Sequence, residues 1–321
     1  MPEIGNYKSV NSKEMLLMLE KLAELFKLAP RQFWAVEQQI AIFKDMFGSF
    51  SLKGFFASIL AIIELCGLVL FDFPITPRGE EVNLKGYSLV FEDNFDGTEL
   101  DTDIWEFRAN GARRGGFNAP SQAEVRDGNL VITAEYLTDG AYGEGWYAGM
   151  IKLKERYCKG YFEIRCIANK GRGFWSAYWL QADGSYTASI SKGGIGGAEI
   201  DIFESANNES SLVNDAVTHA IHCAGVDGVE DGFQSMSLGG FYGNNIYEEY
   251  NTYAVEWNEE EYIFYVNGIE TRRSSYGNGV SEVPEEVIVS LEIPTAEELD
   301  ELDKDEYVSE FIVDYVRIYQ K

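Results

Sequence analysis

Glu199, Asp201 and Glu204 stand together in the stretch GGAEIDIFESAN, three carboxylates separated by one residue and then by two. A pair of carboxylates flanking a glycosidic bond can divide the work of breaking it. One attacks the anomeric carbon while the other protonates the leaving oxygen and later activates water; a retaining reaction wants the two about 5 Å apart. Alternate residues of a β-strand share a face, so Glu199 and Asp201 point one way and Glu204, three positions on, points the other. One extra residue, a β-bulge near Ile202 and Phe203, shifts the parity and returns Glu204 to the common face. Backbone positions four residues apart on a strand are about 13 Å apart, a gap that a bulge shortens and that long Glu side chains can close by leaning over the shorter Asp201. Asp201 can hydrogen-bond a neighbour and help keep one Glu ionised and the other protonated, with titrations that belong to the group.

Chance competes with this reading. With 53 acids in 321 residues, the pattern arises roughly once at random, and Glu301, Asp303 and Glu306 in ELDKDE repeat it. That second copy sits in a charge-dense run with few strand formers and reads as a solvated loop. The first is interleaved with Ile200, Ile202 and Phe203, which favour a rigid sheet, and follows the glycine-rich run KGGIGG.

Other chemistries are excluded or weakened. A formal charge of -27 repels phosphate backbones, so no nucleic-acid partner is expected. Cys66, Cys158, Cys166 and Cys223 form no C-x-x-C, and His219 and His222 are the only histidines, so a zinc site of ordinary spacing is not expected. There is no G-x-S-x-G elbow for a serine nucleophile. Aromatic residues make up 14% of the chain, which suits sugar-stacking surfaces and a large β core alike.

The elements that must hold the acids begin after residue 80. Residues 1–72 read as a helical extension: NSKEMLLMLEKLAELFKLAP has helical periodicity, a cap at Asn11 with Glu14, and a stop at Pro30. Its last apolar run starts at Phe55, ends at Phe71 and contains Glu64. That is close to the shortest length that spans a bilayer. Two readings stand, a membrane anchor or a helical hairpin that buries the run. Basic residues precede it and acids follow, so a spanning helix would leave the C-terminal part outside, giving an extracellular or cell-surface location. No cleavable signal peptide is evident, since the apolar run lies too far from Met1. Residues 73–83 read as a linker. Over 84–321 the period becomes two, with a D-G turn in EVRDGNLVITAEY and an N-G turn in EYIFYVNGIETR, both hairpin signals. The class expected is all-β, a sandwich of two antiparallel sheets.

EIDIFE, together with YSLVFEDNFDGTELDTDIWEFR, GYFEIRCIANKGRGFWSAYWLQ, TYAVEWNEEEYIFYVNGIETR and FIVDYVRIYQK, resembles in motif and order the segments of glycoside hydrolase family 16, the laminarinase and lichenase family. The likeness covers about residues 84–320 and takes the bulged form of the family signature. It implies a β-jelly-roll with a cleft, Glu199 as nucleophile, Asp201 as its electrostatic helper and Glu204 as acid/base, acting on a polysaccharide or oligosaccharide. It also implies substrate-binding roles for Trp175, Trp179 and His222, with a place in the core as the alternative for Trp179; on a regular strand His219, three residues before His222, faces away in a structural role. Arg113, Arg114 and Asn118 belong to a glycine-broken loop that can reach the cleft rim. Trp105 and Trp257 are expected in the core. No cofactor is required; the resemblance places Asp314 near a structural calcium of some members, with Asn94 replacing a frequent acid.

Two departures bear on the substrate. Many β-glucan-cleaving relatives carry a Trp shortly before the nucleophile, where this chain has SKGGIGGAEID, and Met150 stands where a polar or basic residue is common. The leading expectation is a retaining endo-β-glycanase on β-1,3- or mixed-linkage glucan. An endo-β-galactosidase or galactanase is the alternative, and a non-catalytic sugar-binding protein on the same fold is a third reading that the intact acids oppose.

Overall fold

The computed structural model describes residues 79–206, 216–227 and 233–321 and bears out the all-β class expected from the alternation of apolar residues, with strands from Ser88 to Gln320. The helical extension 1–72, the apolar run 55–71 and the linker up to residue 78 lie outside the described residues. Among the described residues no helix is long and apolar enough to cross a membrane. The chain from Gly79 to Val82 runs along the edge of the hairpin that follows Val266, exchanging backbone hydrogen bonds with Gly268 and Glu270.

The two turn signals become two-residue hairpin connections. Asp127 and Gly128 both take positive φ (52° and 71°), as do Asn267 and Gly268 (51° and 74°), the geometry that matches the twist of paired strands. Each leaves its flanking residues paired, Arg126 with Asn129 and Val266 with Ile269. Alternation then decides the faces: Leu130, Ile132 and Ala134 are all fully buried.

The strands form two sheets. Seven strands, antiparallel throughout, run in the order Phe233–Tyr242, Ala216–Ala224, Glu199–Glu204, Trp175–Gln181, Glu286–Glu292, Met150–Leu153 and Trp105–Phe107. Eleven strands make the other sheet, among them Gly160–Ile167, Asn251–Trp257, Tyr262–Val266, Ile269–Ser274 and the closing Val308–Gln320. All its pairings are antiparallel except that of Gly116–Asn118 with Gly145–Ala148. Aromatic residues explain much of the core: Trp105 and Trp257 are fully buried, as expected, and Phe203 stacks on Tyr253 with ring centroids 4.2 Å apart. Burying each such side chain stabilises the fold by about 1.5–3 kcal/mol. The catalytic candidates therefore sit near the middle of a sheet whose far face is fixed by that core.

Candidate active site

The strand Glu199–Glu204 is hydrogen-bonded on both sides, and its register is irregular against both neighbours. Against Trp175–Gln181, Phe203 faces Tyr178 and Asp201 faces Trp179, which leaves Ile202 over. Against Ala216–Ala224, Asp201 faces Ala220 and Glu204 faces Thr218, so Ile202 and Phe203 together oppose His219. Two consecutive residues thus turn inward, both fully buried. The bulge expected at Ile202 and Phe203 is present, and Glu199, Asp201 and Glu204 line one cleft of roughly 320 Å³.

Each acid has its own surroundings. Glu199 accepts hydrogen bonds at Oε2 from the Gln181 amide and the Tyr186 hydroxyl. Asp201 is buried and its Oδ2 lies 2.8 Å from Nε2 of His222. Burial pushes the Asp201 carboxyl up to about 6 and the Glu199 charge adds to this, against the pull of the His222 hydrogen bond. Glu204 accepts a 2.9 Å hydrogen bond from the Trp175 indole. Burial and then the Asp201 charge push Glu204 up to about 7, while that indole bond opposes them. His222 is pulled down by burial, but the hydrogen bond to Asp201 and the surrounding carboxylates outweigh this and raise it.

The cleft contains most of the residues singled out by sequence. Trp175 and Trp179 alternate with Ala177 along one strand and line it. Trp179 is only 7% exposed, donates to Ser290 and carries the Arg108 guanidinium 5.0 Å from its ring, so it forms floor rather than an open platform. One face of Trp175 is likewise covered, by Arg114 at 4.8 Å. Arg113 reaches the cleft, where it pairs with buried Glu292 at 2.7 Å. Both ring nitrogens of His222 are engaged, Nε2 by Asp201 and Nδ1 by Ser235 at 2.6 Å, so it bears on the acids directly. Met150 is buried against Ala177, Trp179 and Ile288, with its sulfur 3.4 Å from Arg108.

Asn118 does not reach the cleft rim. It ends a short strand, is 1% exposed and is absent from the cleft lining, because the loop around Gly116 packs against the backbone of Trp146. Asp314 lies on the other sheet, where its carboxylate is paired with Arg165, and Asn94 accepts a hydrogen bond from Arg317. Oxygens already turned to guanidinium groups do not fit a calcium ion, which needs six to eight oxygen ligands. Glu199, Asp201 and His222 do place ligand atoms within 4.8 Å of one another, His222 through its contact with Asp201 and Glu199 through its place opposite His222 in the strand register.

Sequence reasoning missed Gln181, Tyr186, Arg108 and Glu292. Gln181 was within reach, since it continues the alternation of Trp175, Ala177 and Trp179. Tyr186 comes from a turn with no periodic signal. The glycine run before Glu199 also gains a physical reason: a Cβ on Gly193 would lie 2.4 Å from the Asn278 side chain, and Gly197 holds a φ of 134° with a Cβ position 2.4 Å from Ala182. A bulky residue has no room at either position; the aromatic ring near the nucleophile candidate belongs to Tyr186 instead.

A family model described as "Beta-porphyranase A-D, GH16 domain" matches residues 89–321. The chain is similar to the clotting factor G alpha subunit of Tachypleus tridentatus, at 28% identity over 250 residues, 73% of this chain and 34% of that protein. It is also similar to glucan endo-1,3-beta-glucosidase A1 of Niallia circulans, at 25% identity over 210 residues, 58% and 29% of the two chains. The chain spans about a third of the length of these curated relatives. In fold it resembles SCLam, a non-specific endo-beta-1,3(4)-glucanase, with a TM-score of 0.62 at 22% identity over 78% of this chain and 97% of that one.

Proposed function

The chain belongs to glycoside hydrolase family 16, and on that footing we propose that it is a retaining endo-β-glycanase acting on β-1,3- or mixed-linkage β-1,3-1,4-glucan. The observation that carries this is the bulge, which sets three carboxyls of unlike surroundings on one open face. Glu199, held at one oxygen by Gln181 and Tyr186, attacks the anomeric carbon with the other. Glu204, kept protonated up to about pH 7 by its burial, gives its proton to the departing sugar oxygen as that bond breaks. The resulting glycosyl ester on Glu199 is opened by water, whose proton returns to Glu204. Asp201 holds negative charge beside the reacting centre, and the His222 imidazole is hydrogen-bonded to it.

Glucan is favoured by the names of the relatives: the Niallia protein is a glucan endo-1,3-beta-glucosidase, and a SCLam variant was co-crystallised with 1,3-beta-D-cellotriosyl-glucose. A second reading, a galactan-cleaving enzyme, is favoured by the absence of an indole before the nucleophile and by a family model named for porphyranases rather than glucanases. The deciding experiment incubates the full chain with β-1,3-glucan, mixed-linkage glucan and β-galactans, and follows the anomeric form of the first product by NMR. Glucan cleavage with the β-anomer formed first, lost in Glu199→Gln, is the expected result. Cleavage of galactans alone supports the second reading, and first formation of the α-anomer removes the retaining mechanism.

A further inference from the structure

The bulge leaves a debt at Ile202. It has no Cα partner in either neighbouring strand and is fully buried, a place where an unpaired carbonyl would be costly. The residue opposite the bulge meets that need with its own side chain: Nδ1 of His219 lies 2.6 Å from the Ile202 oxygen. A carbonyl oxygen only accepts, so Nδ1 carries the proton. Nε2 lies 3.0 Å from the hydroxyl of Thr271 in the opposing sheet, and in a neutral ring it accepts that proton. The Phe264 carbonyl is the alternative acceptor of the same hydroxyl. Ring stacking on Phe264 (4.9 Å) and Phe241 (5.0 Å) fixes the imidazole plane.

We infer that His219 is a positioning residue for catalysis: bridged between the two sheets, its ring locks the bulge at Ile202 and thereby keeps Glu204 in the cleft beside the Trp175 indole. This deepens the function proposed above and rests on it, since it names what places the acid/base. The burial that strips the ring of its own charge, lowering it to about 4, keeps it a single-donor neutral tautomer over the working pH range. His222, three residues on, touches the acids directly; His219 acts only through the backbone.

The test compares His219→Phe, which fills the space without a donor, with His219→Asn, whose amide nitrogen can stand in for Nδ1, and with Thr271→Val, which frees the ring. Two readouts are taken: the pH profile of kcat and KM, and the titration of Glu204 by carboxyl ¹³C NMR, which needs no activity. In His219→Phe, kcat is expected to fall about 100-fold with KM little changed, the low end of what a misplaced general acid forfeits. The Glu204 titration should move down towards ordinary carboxylates as the side chain leaves its buried place, and His219→Asn should recover most of both effects. Thr271→Val should shift the titration in the same sense by less, and it decides the matter if His219→Phe does not fold. A folded His219→Phe, or failing that Thr271→Val, with the wild-type Glu204 titration overturns the inference, whatever its loss of stability. If the wild type cleaves nothing, the proposed function fails, and the titration still decides whether His219 sets the place of Glu204.

Discussion

Glu199, Asp201 and Glu204 share their spacing with Glu301, Asp303 and Glu306, yet the two trios have nothing else in common. The second follows the four-residue helix Ala296–Leu299, lies in turns, and exposes all three acids. Asp303 caps the backbone of Asp305, and Glu301 pairs at the surface with Arg172 at 2.6 Å. Water solvates those charges, so each acid is independent of the others. In the first trio a bulged strand removes water from two carboxyls and forces them to share one field. Spacing in the chain is therefore permissive; what makes chemistry is a sheet that buries the residues between the acids.

The sharpest way to break this comparison is to remove one acid at a time from each trio. Glu199→Gln should lower the rate by at least about 1,000-fold, as loss of a nucleophile does, and Glu204→Gln by about 100- to 10,000-fold on a substrate whose leaving group needs a proton. Glu301→Gln, Asp303→Asn and Glu306→Gln combined should leave kcat/KM within about two-fold, since exposed pairs contribute about 0–1 kcal/mol. Steady-state kinetics on the cleaved polysaccharide decides it. A large loss in the surface variant would mean that the 301–306 turns take part in the site.

Much of this difference could be read from the chain. The parity conflict in EIDIFE demanded a bulge, the apolar residues between the acids demanded a buried strand, and the D-G and N-G pairs named their hairpins. What escaped was long-range register. Glu292 enters the cleft because it faces Trp175 across the sheet, a pairing that joins residues 117 positions apart and leaves no local trace. Asn118 looked like a loop residue because glycines surround it, but those glycines permit close packing rather than exposure. The role of His219 was legible only as the face it occupies; its hydrogen bond to Ile202 follows from the bulge, which no pattern in THAIHCAG announces.

A smaller effect tests the cost of burying the first trio. Glu204 and Asp201 have carboxyls raised above their ordinary values, so the folded state binds their protons more tightly than the unfolded one. Their contribution to stability is fully present below about pH 4, and it is lost as pH rises through the folded values, about 6 and 7. For Glu204 the shift corresponds to a few kcal/mol at most. Glu204→Gln should therefore gain on the wild type between pH 5 and pH 8.5, by several degrees in Tm given about 2–4 °C per kcal/mol for a domain of this size. Asp303→Asn should show no such crossing. Thermal melts across that range check it, and parallel curves for Glu204→Gln and wild type would mean that Glu204 is not held protonated by its surroundings.

The smallest effect isolates one hydrogen bond. The Trp175 indole donates to Glu204 and so favours its ionised form, opposing the burial that raises it. Trp175→Phe keeps an aromatic ring in the cleft and removes only the donor, so Glu204 should hold its proton to higher pH. A hydrogen bond to a charged group contributes about 1.5–3 kcal/mol, part of which water regains, so the basic limb of the kcat/KM profile should move up by about one pH unit. The rate near pH 6 should fall only several-fold, through looser orientation of the acid. The matching change in the surface trio, Arg172→Ala beside Glu301, removes an exposed partner and should move neither limb. A basic limb that stays in place in Trp175→Phe would mean that the indole orients Glu204 without setting its affinity for the proton, and that burial alone separates the two trios.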